Sequence, residues 1–353
     1  MRALVAMSGG VDSSVAAALI LEAGHDVVGV TLKQWEGLDG ELPTAGCCTV
    51  GDAEDARRVA AQLDVPYYVL DYVDEFTEQV VDRFGADYAS GRTPNPCIEC
   101  NRRVRFKALL DRTAELGCDV LVTGHHARIR RGRRHRLLEA VDRAKDQSYV
   151  LHMLGQAELG RVHLPIGEMS KDDVRAHAVR LGLRTATKPD SQDLCFVGRG
   201  DYRSFLRRRH PEVAAPGDIV DTEGALVGSH GGTVDYTIGQ RRGLGSSFAE
   251  PRYVVDIRPQ TRTVVIGRKE DLLVTGCRLD EVSFTSGAAP RDPAVEVKVR
   301  YRTPAVPARL ICDDRGWTVA FDTPQPGVAP GQAAVVYRGE EVLGGGTIVE
   351  SVR

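Results

Sequence analysis

A short stretch rich in glycine and serine follows the apolar run at the start of the chain. It reads Ser8-Gly9-Gly10-Val11-Asp12-Ser13-Ser14. Glycines let backbone N–H groups come close to an anion, serine hydroxyls add donors, and a helix that begins here favours negative charge. The stretch therefore predicts a phosphate-binding loop, and the carboxylate of Asp12 could bind Mg²⁺. A serine-rich helix cap without a ligand is the alternative.

This loop differs from the most common phosphate-binding motifs. It lacks the Gly-Lys-Ser/Thr of kinase-type loops and the Gly-x-Gly-x-x-Gly of dinucleotide folds. It resembles instead the pyrophosphate loop of the N-type ATP pyrophosphatases, which split ATP between its α and β phosphates and leave an adenylated substrate. The resemblance implies nucleotide contacts along the loop and at two later positions. They are Ala6, Met7, Ser8, Gly9, Gly10, Val11, Asp12, Ser13, Leu32 and Gly124.

Two cysteines lie in polar loops that could present a reactive thiol. Cys100 follows Pro94 and Pro96, which we expect to keep the loop non-helical, so that a helix begins near Arg102, just after Cys100. A thiol at a helix start beside several arginines should ionise readily. Cys195 lies in the second loop, which begins near residue 188. For each cysteine the alternative is a buried, inert thiol.

The remaining cysteines and the histidine pair suggest no metal site. Adjacent residues such as His125 and His126 point to opposite faces of a strand, which makes them a poor chelate. Five cysteines match no catalytic pattern and are expected to pack in cores. They are Cys47, Cys48, Cys118, Cys277 and Cys312.

The elements that must position these residues alternate between strands and helices in the first half of the chain. Four apolar runs predict strands, namely Ala3–Met7, Val27–Leu32, Tyr67–Leu70 and Val120–Thr123. Helical apolar spacing lies between them, for example at Val11, Val15, Ala18 and Leu19. This alternation predicts a parallel sheet covered by helices, with ligands at the carboxyl ends of the strands.

The second half has short β-like runs separated by glycine and proline, which predict small β domains, expected to be barrels. The fold class is therefore α/β, a parallel-sheet nucleotide-binding domain followed by two small, mainly β domains. We expect domains at 1–206, 207–274 and 275–353. The basic run from Arg128 to Arg136 could grip RNA or form a solvated β-hairpin.

Composition is that of an ordinary globular protein. The 353 residues are 42% apolar, enough to bury a core, and the formal net charge of -3 gives no global attraction for a polyanion. No apolar stretch is long enough to span a bilayer or to serve as a signal peptide. We expect a cytoplasmic protein without a membrane part.

Motifs along the whole chain resemble those of the bacterial tRNA-specific 2-thiouridylase family. The most specific are a Thr-Pro-Asn-Pro loop and a Lys-Asp-Gln-Ser-Tyr segment. Together with the phosphate loop, the resemblance rests on Gly91-Arg92-Thr93-Pro94-Asn95-Pro96, Cys100-Asn101, Thr123-Gly124-His125, Lys145-Asp146-Gln147-Ser148-Tyr149, Asp190-Ser191, Cys195-Phe196, Gly239-Gln240-Arg241-Arg242-Gly243-Leu244-Gly245, Arg300-Tyr301-Arg302, Pro330-Gly331-Gln332 and Gly344-Gly345-Gly346.

The resemblance implies ATP-dependent thiolation of the wobble uridine of tRNA. ATP, with Mg²⁺, would adenylate the uridine at its C2 carbonyl, and a cysteine desulfurase or sulfur-relay protein would load a persulfide on Cys195. Cys100 would then release the sulfur and close a transient disulfide with Cys195. Contacts with tRNA are implied at Asn95, Pro96, Cys97, His125, Lys145, Asp146, Gln147, Arg300, Tyr301 and Gln332.

One position departs from the family pattern. Many relatives carry Asp where this chain has Cys97, and a thiol is a much weaker acid than a carboxyl. Cys97, Cys100 and Cys195 could also converge to hold an iron–sulfur cluster or zinc. We favour persulfide chemistry, because only one Cys-x-x-Cys is present.

Two other functions stay open at this stage. Another adenylating ligase with a pyrophosphate loop would need a small-substrate site but no paired loop cysteines. An RNA-binding module with a vestigial nucleotide fold would release no pyrophosphate from ATP.

Overall fold

A computed structural model describes residues 1–37, 50–190, 194–197, 202–244, 248 and 250–353. Of the five cysteines expected in cores, Cys118 and Cys277 are buried, and Cys47 and Cys48 lie outside the described residues. The expectation was wrong for Cys312, which is exposed on the barrel. The strands are β1 (Arg2–Ala6), β2 (Asp26–Lys33), β3 (Tyr67–Asp71), β4 (Val120–Thr123), β5 (Ala127–Arg130), β6 (Arg136–Glu139), β7 (Val162–His163), β8 (Gly217–Val220), β9 (Leu226–His230), β10 (Tyr253–Arg258), β11 (Thr263–Gly267), β12 (Leu273–Phe284), β13 (Ala294–Lys298), β14 (Val306–Asp313), β15 (Gly316–Pro326), β16 (Ala333–Arg338) and β17 (Glu341–Val352).

The helical segments cluster in the first two thirds of the chain. The α-helices are α1 (Val11–Glu22), α2 (Val50–Gln62), α3 (Val73–Phe76), α4 (Arg83–Ala89), α5 (Pro96–Glu99), α6 (Phe106–Glu115), α7 (Gln156–Arg161), α8 (Lys171–Arg180) and α9 (Tyr202–Arg209). Two π-helical segments span Thr77–Asp82 and Cys100–Arg105. Short 3₁₀ turns span Ser148–Leu151, Arg184–Thr187, Pro211–Ala214, Thr233–Asp235, Pro259–Thr261 and Glu270–Leu272.

Five strands form the expected parallel sheet, in the order β3-β2-β1-β4-β7. Leu4 of β1 packs in one apolar cluster and its neighbours Ala3 and Val5 pack in another, so each face of the sheet carries its own core. Ala6 pairs with Val30 of β2 and with Thr123 of β4. The carboxyl ends of the three central strands therefore lie side by side, which confirms the predicted α/β class.

The helix that carries Cys100 begins earlier than expected. Asn95 caps it, because the Asn95 Oδ1 accepts hydrogen bonds from the N–H groups of Cys97 at 3.1 Å and Ile98 at 3.4 Å. Pro96 occupies the first helical position, where its missing N–H costs no hydrogen bond. The expectation of a helix starting near Arg102 was therefore wrong, and Cys100 lies one turn inside the helical segment.

The second half forms two β units. Strands β8 to β11 make a four-stranded sheet in the order β10-β11-β8-β9. Strands β12 to β17 make a closed barrel, because β12 pairs with β15 on one side and with β17 on the other. The boundary expected at residues 206–207 falls inside α9, and the one at 274–275 falls inside β12.

The hairpin β5–β6 crosses from the first domain to the barrel. Strand β6 pairs with β17, with Leu138 opposite Glu341. Arg128 and Arg130 bind the two carboxylate oxygens of Glu340, at 2.6 and 2.9 Å, and Arg134 binds Glu341 at 2.8 Å. Much of the basic run is therefore paired with acidic residues of the barrel. Across the described ranges, no helix is long and apolar enough to cross a membrane.

Candidate active site

The predicted phosphate loop lies between β1 and α1, at the carboxyl edge of the sheet. Gly9 has a left-handed backbone with φ of +69°, and a Cβ there would lie 2.1 Å from the backbone oxygen of Asp52. Gly10 caps α1 with φ of -93° and faces no such obstruction. Ser13 and Ser14 donate their hydroxyls to the Gly10 carbonyl, at 3.1 and 2.8 Å, so these two serines shape the loop.

The other predicted nucleotide contacts surround this loop to different extents. A Cβ on Gly124 would lie 2.6 Å from the backbone nitrogen of Ser13, so the end of β4 packs directly on the start of α1. Leu32 is buried near the end of β2, and Met7 is buried in the sheet core. Ser8 is exposed on the loop and Ala6 is half-buried.

Asp12 is held by two residues that the sequence analysis did not assign to the site. Lys171 Nζ lies 2.7 and 2.8 Å from the two Asp12 carboxylate oxygens, and His126 Nε2 lies 3.3 Å from one of them. Burial raises the pKa of Asp12, but the hydrogen bonds from His126 and Lys171 outweigh it and lower that pKa below its usual value. Asp12 is therefore an ionised carboxylate beside the loop.

The arrangement is compatible with a cation bound together with nucleotide phosphates. Mg²⁺ is commonly held by one or two carboxylates plus the phosphate oxygens of the substrate. Asp12 supplies such a carboxylate. The described part of the chain contains no group of three or more His, Cys, Asp or Glu side chains placed to hold a metal ion on its own.

Further ion pairs fasten the segment before Cys195 to the nucleotide site. Lys188 donates to the Gly9 carbonyl at 2.9 Å, and to Asp52 and Asp55, each at 2.7 Å. Asp190 binds Lys171, Lys145 and Arg175 at 2.8, 2.7 and 3.0 Å. The hydrogen bonds from Lys145 and Lys171 overcome the effect of burial and lower the pKa of Asp190 to about 2.

One sequence signal could have revealed Lys171. It is the first residue of α8, after the capping residue Ser170. A cation at a helix start opposes the helix dipole and is therefore disfavoured without another partner. Such a lysine, buried to 8% exposure, points to carboxylates elsewhere in the fold. The sequence offered no comparable signal for His126.

Cys100 and Cys195 meet at one apolar cluster. Cys100 is buried, with 6% exposure, in a cluster that also contains Trp35 and Phe196, and Cys195 is half-buried and packs against this cluster. Gln34 Nε2 lies 3.3 Å from the Cys100 Sγ. The expectation of an accessible Cys100 at a helix start was wrong. Cys100 lies one turn inside the helix and packs in the core.

Cys97 is the exposed thiol of the Cys-x-x-Cys pair and lies in the first turn of α5. Burial raises the pKa of Tyr301 to about 12, and the charges of Asp146 and Cys97 add to this rise. Tyr301 is 37% exposed, and its ring packs on that of Tyr149 at a centroid distance of 5.8 Å. Cys97 on the first domain and Tyr301 on the barrel are therefore both accessible at the surface.

Several predicted tRNA contacts already have partners within the protein. Gln332 Nε2 donates to the Thr93 carbonyl at 2.6 Å, which joins the barrel to the loop before Asn95. Arg300 donates to the carbonyls of Gly327 and Ile238, at 2.9 and 3.0 Å, and so joins the barrel to the central domain. These residues hold the three domains together.

His125, Asp146 and Gln147 also have partners within the protein. His125 packs on Phe106, and burial lowers the pKa of His125 to about 3, which keeps it neutral. Asp146 Oδ1 accepts hydrogen bonds from two backbone N–H groups, and Gln147 Oε1 accepts from the N–H of His126 at 2.9 Å. Lys145 beside them is half-buried, with 38% of its side chain accessible.

Three family descriptions match successive parts of the chain. "tRNA methyl transferase HUP domain" matches residues 1–199, "tRNA methyl transferase PRC-barrel domain" matches 203–268, and "Aminomethyltransferase beta-barrel domain" matches 274–348. A 4-thiouridine synthetase solved as an RNA complex with bound ATP is similar with a TM-score of 0.39 and 17% identity, over 60% of this chain and 50% of that chain.

Curated relatives match over almost the full length. The chain is 50% identical to the tRNA-specific 2-thiouridylase MnmA of Roseiflexus sp. (strain RS-1), over 98% of this chain and 99% of the relative. It is also 50% identical to the protein of that name from Chloroflexus aurantiacus (strain ATCC 29366 / DSM 635 / J-10-fl), over 98% of this chain and 97% of the relative. The chain therefore belongs to the tRNA-specific 2-thiouridylase family.

Proposed function

We propose that this chain is an ATP-dependent tRNA sulfurtransferase that converts the wobble uridine to 2-thiouridine. The observation that carries the proposal is the pairing of a phosphate loop, at Gly9 and Gly10, with two cysteines that meet at one apolar cluster. An adenylating ligase without sulfur chemistry needs no such pair of thiols. An RNA-binding module needs neither the loop nor the ionised Asp12.

The first half-reaction activates the base. The uridine O2 attacks the α-phosphorus of ATP, the bond to the β-phosphate oxygen breaks, and pyrophosphate leaves. Backbone N–H groups at Gly10 and the start of α1 are suited to bind the departing phosphates. Asp12 would hold Mg²⁺, which neutralises phosphate charge when bound.

The second half-reaction transfers sulfur. The terminal sulfur of a persulfide on Cys195 attacks C2, and AMP leaves with the former O2. The Cys100 thiolate then attacks the inner sulfur of Cys195, which breaks the S–S bond, leaves sulfur on C2 and forms a Cys100–Cys195 disulfide. A thiol reductant restores both thiols. The common apolar cluster around Cys100 and Cys195 supports this pairing.

The exposed junction beside Cys97 is suited to the target base. A base turned out of the RNA needs an aromatic surface and hydrogen-bond partners, and Tyr301 offers a partly exposed aromatic side chain within electrostatic range of Cys97. Asn95 and Pro96 shape this junction by starting the helix. We infer that Cys97 lines the base pocket and is not the sulfur carrier.

The sulfur reaches Cys195 from a protein donor, a cysteine desulfurase or a relay protein. Cys195 is half-buried, so the donor must reach it through a surface opening. The alternative of a three-thiol cluster requires Cys97, Cys100 and Cys195 to converge, whereas Cys97 is exposed and Cys100 is buried.

Pyrophosphate release from ATP, measured with and without unmodified tRNA, tests the function. We expect release that depends on tRNA, together with 2-thiouridine in nucleosides prepared from the product. Release that depends on a small substrate instead of tRNA would identify a different ligase, and no release would identify a binding module.

Cysteine variants test the roles of the two thiols. Cys195→Ser should still release pyrophosphate with tRNA, but it should neither accept radiolabelled sulfur from a desulfurase nor thiolate tRNA. Cys312→Ser, at an exposed cysteine of the barrel, is the matched control and should behave as the parent. If Cys195→Ser accepts label as well as the parent, Cys195 is not the carrier.

A further inference from the structure

Charged side chains behind the phosphate loop form one continuous row of ion pairs. Lys171 Nζ lies 2.7 and 2.8 Å from the two oxygens of Asp12 and 2.8 Å from Asp190 Oδ1. Lys145 Nζ lies 2.7 Å from Asp190 Oδ2, and Arg175 lies 3.0 Å from Asp190 Oδ1. We call the series Lys145, Asp190, Lys171 and Asp12 the ion-pair chain.

The two ends of the ion-pair chain differ in their surroundings. Only 9% of the Lys171 side chain is accessible, whereas 38% of the Lys145 side chain is. Interactions at the inner end are therefore poorly screened by solvent, and the outer end is open to a polyanion. Lys145 is also a proposed tRNA contact, so the ion-pair chain runs from the tRNA surface to the nucleotide site.

In this arrangement Lys171 competes with a nucleotide-bound cation for Asp12. The Lys171 ammonium occupies both carboxylate oxygens, which are the atoms that would face a cation bound with the phosphates. Lys171 is shared between Asp12 and Asp190 Oδ1, so Asp12 becomes available when Lys171 leaves it for Asp190 alone. Lys145 opposes this shift, because it already occupies Asp190 Oδ2.

We propose that tRNA opens the nucleotide site through an exchange of ion pairs in this chain. A backbone phosphate of tRNA takes Lys145, Asp190 Oδ2 then accepts Lys171, and Asp12 is released to the incoming nucleotide. Asp190 is a positioning residue, because it touches no reacting atom and acts through the location of Lys171. The inference rests on the proposed function, since it requires tRNA and ATP as the two substrates.

Variants of Lys145 and Asp190 should change the affinity for nucleotide in opposite directions. Lys145→Met leaves Asp190 Oδ2 open to Lys171, so nucleotide should bind tightly even without tRNA. Asp190→Asn removes the alternative partner of Lys171, so nucleotide should bind weakly with or without tRNA. A merely structural defect would weaken binding in both variants. The opposite signs therefore distinguish ion-pair exchange from loss of fold.

Calorimetric titration of the full chain with Mg²⁺ and a non-hydrolysable ATP analogue, with and without saturating tRNA, measures this coupling. We expect tRNA to tighten nucleotide binding by about 10-fold in the parent, and by less than about 2-fold in both variants. Lys269→Met, at an exposed lysine of the central domain, should keep the parental ratio. A parental ratio in Lys145→Met or Asp190→Asn would overturn the proposal.

Thiolation of tRNA by the same parent preparation separates this inference from the function on which it rests. A parent that thiolates tRNA but binds nucleotide equally well with and without it would overturn ion-pair exchange and leave the function standing. A parent that neither thiolates tRNA nor releases pyrophosphate in its presence would overturn both.

Discussion

Two adjacent glycines of the phosphate loop should respond to the same substitution in opposite ways. In Gly9→Ala the new Cβ would meet the Asp52 backbone oxygen at 2.1 Å, and the left-handed φ of +69° disfavours any L side chain. In Gly10→Ala the closest neighbour of the new Cβ is the Ser8 hydroxyl at 3.5 Å, an ordinary contact, and φ is -93°. We therefore expect Gly9 to matter for stability and Gly10 for the approach of a ligand.

The magnitudes follow from these contacts. A left-handed residue other than glycine costs roughly 1–2 kcal/mol, and an overpacked contact with backbone adds about 1–3 kcal/mol. Gly9→Ala should therefore lower the free energy of unfolding by about 2–5 kcal/mol, which is a fall of roughly 5–15 °C in Tm. Gly10→Ala should be neutral or stabilising by up to about 1 kcal/mol, because alanine restricts the unfolded chain.

Thermal unfolding without nucleotide, followed by nucleotide titration, checks both expectations. Gly10→Ala should melt with the parent yet bind nucleotide at least about 10-fold more weakly, or about 1.4 kcal/mol, because the methyl group keeps phosphates from the backbone N–H groups. Gly231→Ala, where a Cβ has open space, is the control for the substitution itself. Parental nucleotide affinity in Gly10→Ala, or parental Tm in Gly9→Ala, would refute the reasoning.

Three further outcomes are expected. Asp12→Ala should abolish pyrophosphate release at nearly unchanged Tm, because Lys171 keeps Asp190 as a partner; near-normal turnover would contradict the nucleotide site. The pKa of His125 is about 3 in the folded protein and 6.5 in the unfolded chain, so between these values the unfolded chain binds more protons than the folded one. The folded state therefore loses stability as pH falls through that window. His125→Gln removes this contribution and should flatten the fall in Tm measured from about pH 7 to 4. Cys97→Asp should retain substantial thiolation, and Cys97→Ala should keep measurable thiolation with a persulfide donor; iron and sulfide that are lost with activity in Cys97→Ala would instead make a cluster the sulfur carrier.

The strand, turn and helix around Gly9 could be predicted because their signals are local. The apolar run before Ser8, the paired glycines and the helical spacing after Val11 lie within one stretch of sequence, and the structure has strand, turn and helix there. The remaining parallel strands were found for the same reason, except β7, which has only two residues. The barrel was expected from its short apolar runs, and the pairing of β12 with β17 closes it.

The features that the sequence did not predict depend on long-range contacts, apart from one local error at Cys100. Lys171 is 159 residues from Asp12 in the chain, and no sequence pattern joins them. The predicted helix start after Cys100 is wrong because proline does not break a helix at its first position. Pro96 occupies that position, and Asn95 supplies the cap. The burial of Cys100 follows from tertiary packing, which a single sequence does not specify.

The hairpin shared between the first domain and the barrel has a consequence for biosynthesis. Strand β6 is translated well before its partner β17, which begins at Glu341. At ribosomal rates the unpaired edge of β6 waits roughly 10–40 s for that partner. The four-residue length of β6, its Arg136 and the nearby Arg134 should protect the nascent chain from edge-to-edge association during that interval. The acidic pair Glu340 and Glu341, which arrives with β17, then completes the joint between the two domains.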